Sequence, residues 1–167
     1  MSLGLYLHIP YCFSKCRYCD FYSAPGQRGV PRAYVDALLR ELSRFAPDAP
    51  LRPDTLYFGG GTPSLLDPAD AARLIAAAQP LPGAEITLEA NPETVTEDSL
   101  RAFREAGVNR ISFGVQSARD SQLKTLGRPH TAKQARAAFA AARRAGFENI
   151  SGDITLEANP ETVTEDS

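Results

Sequence analysis

The chain has no tryptophan, one methionine, two histidines and three cysteines. Lysine is also scarce, at Lys15, Lys124 and Lys133 only, so arginine carries nearly all the positive charge. Each shortage excludes something. No apolar run approaches the ~20 residues that cross a bilayer, so no integral membrane segment is expected. The N-terminus, Met-Ser-Leu-Gly-Leu-Tyr-Leu-His, lacks the basic region and long apolar stretch of a signal peptide. With an odd cysteine count, that makes a reducing, cytoplasmic location the expectation. A net charge of −2 gives no electrostatic case for nucleic acid. Hydrophobic residues at 43% and charged residues at 23% fit an ordinary globular domain with its own core.

The cysteines that are present all fall within eight residues, Cys12-Phe-Ser-Lys-Cys16-Arg-Tyr-Cys19. Three is one ligand short of a structural zinc site, which normally takes four. The Cys-x3-Cys-x2-Cys run suits a [4Fe-4S] cluster held by three thiolates, with one iron left open for a small molecule. A zinc site completed by His8 or His130 is the competing reading. A disulfide would strand an odd thiol.

The elements alternate. Strands are expected at Leu5–Ile9, Thr55–Phe58, Glu85–Glu89, Arg110–Val115 and Phe147–Ile154. Helices are expected at Pro31–Phe45, Pro68–Ala78 (capped by Asp67), Glu97–Ala106 (capped by Thr96), Asp120–Leu126 and Thr131–Ala145. Short strands alternating with helices imply parallel βα units. The chemistry-bearing residues come just after strands: the cysteines, Gly60-Gly61-Thr62, Glu89, Gln116 and Asp153. In a βα barrel these ends share one face, whereas a doubly wound sheet gathers its ligands at a switch point. The expectation is therefore α/β, a partial (β/α) TIM-like barrel truncated after about five strands. Singly, Gly59-Gly60-Gly61 reads equally as a structural turn, and Glu89, Gln116, Arg128 and Asp153 as solvated loop residues.

One block breaks the pattern. The fourteen residues from Ile86 to Ser99 recur unchanged from Ile154 to Ser167. Divergent βα repeats share patterns rather than identities. Residues 154–167 therefore read as an assembly error or a deliberate graft, with residues 1–153 as the core. Glu157, the copy of Glu89, follows a different strand and is not expected to act as its equivalent.

Taken in order, Tyr-Leu-His-Ile-Pro-Tyr-Cys, Cys-Asp-Phe-Tyr-Ser, Phe-Gly-Gly-Gly-Thr-Pro-Ser, Glu-Ala-Asn-Pro-Glu, Gly-Val-Gln-Ser and Gly-Arg-Pro-His-Thr resemble the radical S-adenosylmethionine (SAM) superfamily. Within it they resemble the branch of oxygen-independent coproporphyrinogen III oxidase and the haem chaperone HemW. The resemblance implies that Cys12, Cys16 and Cys19 hold the cluster, and that Tyr6, Gly60, Gly61, Thr62 and Glu89 line a SAM site. Gln116, Arg128 and Asp153 match a second SAM or substrate region. It implies one-electron cleavage of SAM to methionine and a 5′-deoxyadenosyl radical, with an electron donor such as flavodoxin or ferredoxin and haem or porphyrin as a further small-molecule partner. No catalytic side chain is assigned. The oxidase pattern adds a cysteine two positions after the third, where this chain has Phe21, which points to the chaperone-like relatives. The branch continues with a sixth βα unit and a C-terminal domain that this sequence does not contain. An uncovered barrel edge implies self-association. A non-enzymatic haem carrier and an inactive fragment remain the alternative readings.

Overall fold

The computed structural model of the protein describes residues 2–45 and 50–154. The copied block beyond Ile154, including Glu157, lies outside the described residues. Ten elements follow one another: β1 (Gly4–Ile9), α1 (Arg32–Phe45), β2 (Thr55–Gly60), α2 (Pro68–Ala78), β3 (Glu85–Ala90), α3 (Glu97–Glu105), β4 (Arg110–Gln116), α4 (Asp120–Leu126), α5 (Ala132–Arg144) and β5 (Asn149–Ile154). Two 3-10 turns, Pro63–Leu65 and Pro92–Thr94, follow β2 and β3. All five strands are parallel and stand in sequence order, β1-β2-β3-β4-β5. A doubly wound sheet would reverse direction at a switch point. Sequential order is that of a barrel wall, here five strands wide.

Strand alternation gives the sheet two faces of opposite chemistry. Leu7, Ile9, Leu56, Phe58, Leu88, Ile111 and Phe113 point to one face and are buried, six of them at 0% exposure. Helices α1, α2, α3 and α5 cover that face with Val35, Leu74, Leu100, Phe103 and Ala142, so the core lies between sheet and helices. On the other face stand Tyr6, His8, Tyr57, Thr87, Glu89, Arg110, Ser112, Ser151 and Asp153. Most are joined by hydrogen bonds: Arg110 donates to Thr87 and Ser151, Ser151 to Ser112, and Ser112 to Asp153 at 3.2 Å. In a closed barrel this face would be the interior.

Local chemistry sets the boundaries. The Asp67 side chain accepts from Ala69 N, with Pro68 in the first turn of α2. Thr96 and Thr131 cap α3 and α5 through the amides of Ser99 and Gln134. Strand β2 runs two residues past its expected end, because Gly59 and Gly60 still pair with His8 and Ile9. Strand β5 begins two residues later than expected, because the Phe147 amide closes α5 by donating to Ala142 O. Among the described residues, no helix is long and apolar enough to cross a membrane.

Candidate functional site

The parallel order brings every strand's C-terminal end to one rim. There a cavity of about 380 Å³ opens between the cysteine loop and the ends of β2 to β5. Its lining includes Cys12, Cys16, Cys19, Gly60, Gly61, Thr62, Glu89, Gln116, Arg128 and Asp153. Ten of the eleven expected site residues thus meet at one site, although they span most of the chain. The volume is within the ordinary range for small-molecule and cofactor pockets.

Tyr6 is the exception and does not line this cavity. Its ring, about half exposed, stacks on Tyr57 with centroids 5.9 Å apart. Tyr57 in turn donates from Oη to Glu89 Oε1 at 2.8 Å. Tyr6 therefore supports the Glu89 carboxylate through one intermediary.

The cysteine loop is held by its own backbone. Cys12 N donates to Ala24 O, Ala24 N to Pro10 O and Gln27 N to Cys12 O, while Arg17 N reaches across to Leu126 O at the end of α4. Cys12 is buried, and Cys16 and Cys19 are half-buried. The glycine turn makes room for the loop. A Cβ on Gly61 would lie 2.7 Å from Tyr11 O and 2.8 Å from Cys12 Sγ. Gly60 has φ +121°, and a Cβ there would meet the His8 ring at 2.7 Å. Gly60→Ala is therefore expected to lower stability by about 2–3 kcal/mol, from backbone strain and the clash together. A shifted urea midpoint at constant m-value measures this.

Glu89 sits at the hinge of this arrangement. Oε1 accepts from Tyr57, and Oε2 accepts from the Gly60 amide at 3.1 Å. Burial pushes its carboxyl above the usual carboxylate range, outweighing the opposing pull of those two hydrogen bonds. Burial, then the neighbouring Glu89, also pushes the Tyr57 phenol up, which keeps it a donor.

Beside the cysteine loop, Arg128 Nη1 donates to Cys16 Sγ at 3.2 Å. Gln116 stands at a left-handed φ of 65°, at the register shift between β4 and β5. Strain of that kind clusters at working sites. Asp153 lines the cavity from the end of β5, accepting from Ser112.

The two histidines are engaged elsewhere, and neither lines the cavity. His130 is fully enclosed between Glu93 Oε2 and Val115 O, each at 3.0 Å. His8 Nε2 faces Tyr22 O at 3.1 Å. A zinc site completed by either histidine has no support in this arrangement.

Three thiols, the clearance kept by Gly61, and two buried polar atoms without a partner among the described residues, Ser23 Oγ and Arg128 Nε, all belong to residues of this wall. That donor set fits an iron–sulfur cluster with a polar small molecule beside it. Sequence reasoning passed over Asn91, Tyr18, Ser23 and Ser112, which also line the cavity. Asn91 had a usable signal, standing two residues after Glu89 at the end of a strand. Tyr18 and Ser23 had none beyond their place beside the cysteines.

Residues 6–162 match the family model described as the Radical SAM superfamily. The Heme chaperone HemW of Escherichia coli (strain K12) is 44% identical over 158 residues, covering 91% of this chain and 42% of that protein. A mitochondrial radical S-adenosyl methionine domain-containing protein 1 from Bos taurus is 40% identical over 163 residues, covering 92% and 36%. This chain therefore spans well under half the length of these relatives. Among solved structures, coproporphyrinogen III oxidase (HemN) from Escherichia coli, described as a radical SAM enzyme, superposes with a TM-score of 0.81 at 31% identity, covering 92% of this chain and 37% of that one. Methylornithine synthase, at 13% identity and a TM-score of 0.63, shares the fold.

Proposed function

The chain belongs to the Radical SAM superfamily, and from that premise we propose that its cavity holds a [4Fe-4S] cluster on Cys12, Cys16 and Cys19 with SAM beside it, as the core of a haem-chaperone-like protein. One observation carries the reading: the three thiols share a single cavity with the Gly60–Thr62 turn and the Glu89 carboxylate. When bound, the cluster would supply one electron for the reductive cleavage of SAM to methionine.

The chain's own residues have separable tasks. The thiols of Cys12, Cys16 and Cys19 would hold the cluster and leave one iron without a protein ligand. The backbone at Gly60 and Gly61 can approach a ligand closely because no Cβ stands in the way. The Glu89 carboxylate is an acceptor for an ammonium group, and it is fixed in place by Tyr57 and the Gly60 amide. Gln116, Arg128 and Asp153 supply further polar groups to the same lining. The sheet behind the site is dry on its helix side and excludes water from one direction.

Phe21 supports the chaperone-like reading over the oxidase-like one. It lines the cavity at the position where the oxidase pattern carries a further cysteine. The one-electron donor would be a flavodoxin- or ferredoxin-like protein, and haem the molecule served. Anaerobic reconstitution with iron and sulfide, followed by dithionite and SAM, tests the proposal. Release of 5′-deoxyadenosine and methionine is expected. A fully loaded protein that leaves SAM intact and unbound would refute it.

A further inference from the structure

Asn91 has no role in the reading above, yet its side chain stands at the middle of a hydrogen-bonded chain that ends on two of the three thiols. Arginine has only donors, and this fixes the direction of every bond in the chain. Arg128 Nη2 donates to Asn91 Oδ1 and to Gly114 O, both at 2.6 Å, and Nη1 donates to Cys16 Sγ. With Oδ1 facing the guanidinium, the Asn91 amide nitrogen donates to Thr62 Oγ1 at 3.1 Å. Having accepted there, the Thr62 hydroxyl places its own proton toward Cys12 Sγ at 3.7 Å. Glycine at 114 makes room for the pair, since a Cβ would lie 2.8 Å from Asn91 Oδ1.

We propose that Asn91 is a positioning residue that links Cys12, through Thr62, to Cys16, through Arg128, and so holds the cysteine loop against the ends of β2, β3 and β4 before any cluster is bound. Neither arm is local in sequence. Thr62 and Cys12 are 50 residues apart, and Arg128 and Cys16 are 112 apart. Without the bridging amide, Thr62 and Arg128 lose their common partner: the Thr62 hydroxyl loses the donor that orients it, and Arg128 keeps only Gly114 O beside Cys16. When the Asn91 side chain is removed, its turn keeps the bond from Thr94 N to Asn91 O at 3.0 Å and the Thr94 hydroxyl's bonds to the Asn91 backbone. The significance of the relay for cluster binding rests on the function proposed above, but its effect on the loop does not.

Amide hydrogen exchange of the metal-free chain tests the proposal directly. Asn91→Ala should speed exchange across residues 12–19 by about tenfold, the consequence of losing two supporting hydrogen bonds from the local opening equilibrium. Exchange in α2 should not change. Thr62→Val, which keeps the volume and removes the hydroxyl, should speed exchange around Cys12 and leave the Cys16 side protected. It also serves as the independent variant should Asn91→Ala fail to fold. In the reconstituted protein, Asn91→Ala should lower the cluster's midpoint potential, because donors to the cysteine sulfurs are weakened. Unchanged exchange over residues 12–19 in the two variants overturns the proposal. So does an increase spread evenly over the whole sheet, which is the mark of general destabilisation. An unaltered chain that takes up no iron overturns the cluster reading instead, and leaves the exchange result to decide the role of Asn91.

Discussion

Replacing Cys16 with alanine should reduce iron uptake on reconstitution to the level of an unreconstituted chain, while the fold persists. The physical reason is the ligand count. Two thiolates cannot hold three irons, and no other cysteine exists to substitute. The histidines cannot substitute either, because His130 is enclosed by Glu93 and Val115 and His8 is turned to Tyr22. Losing an outer-shell partner of a metal site costs roughly 10–100-fold in affinity, and losing a ligand should exceed that. Cys16 is more informative than Cys12, because it is only half-buried and its removal leaves the core intact. Iron and sulfide assays beside a circular-dichroism spectrum separate loss of the cluster from loss of the fold. Undiminished iron in Cys16→Ala would mean that the metal binds elsewhere.

Glu89→Gln should separate SAM binding from cluster binding. The amide can keep both contacts: its oxygen accepts from the Gly60 amide, and its nitrogen donates to a Tyr57 hydroxyl that turns to accept. Only the charge is lost. A hydrogen bond to a charged partner contributes about 1.5–3 kcal/mol, so SAM should bind roughly 10- to 150-fold more weakly. Iron content should be unchanged. The unaltered protein should also show a pH dependence that the variant lacks. Burial raises the Glu89 carboxyl, so SAM binding is held above that raised pKa and lost as the pH falls through it, beginning above the ordinary carboxylate range. The same shift runs the other way for stability. The folded chain holds the proton more tightly than the unfolded chain, so this group's contribution declines as the pH rises through its folded pKa. Equilibrium SAM binding between mildly acidic and neutral pH, for both proteins, checks the pair of expectations.

Which parts of the site could be read from sequence follows from how far apart the interacting residues lie. The thiols, Gly60, Gly61 and Glu89 were readable because each is marked by its own neighbours: a cysteine spacing, a glycine run, or a carboxylate at the end of an apolar strand. Thr96 and Thr131 marked helix starts for the same local reason. The contacts that organise the site are not local. Arg128 on Cys16, Asn91 on Thr62 and Tyr57 on Glu89 join residues 29 to 112 positions apart. Only the sequential sheet order brings them together. The misplaced end of β2 has the same origin, since glycines that propensity reads as a turn are paired by a neighbouring strand, whereas β5 starts late because the Phe147 amide is taken by the end of α5. The two proline-led 3-10 turns have no counterpart in the sequence pattern, because a three-residue turn leaves no periodicity to detect.

The central claim is that three cysteines hold a cluster whose open iron meets SAM. It is tested most directly by the electron paramagnetic resonance spectrum of the reduced, reconstituted chain with and without SAM. The account requires a [4Fe-4S] signal that changes on adding SAM, and that in Glu89→Gln needs a SAM concentration roughly 10- to 150-fold higher for the same change. A cluster signal indifferent to SAM in the unaltered protein, or no cluster signal with all three cysteines present, would contradict it.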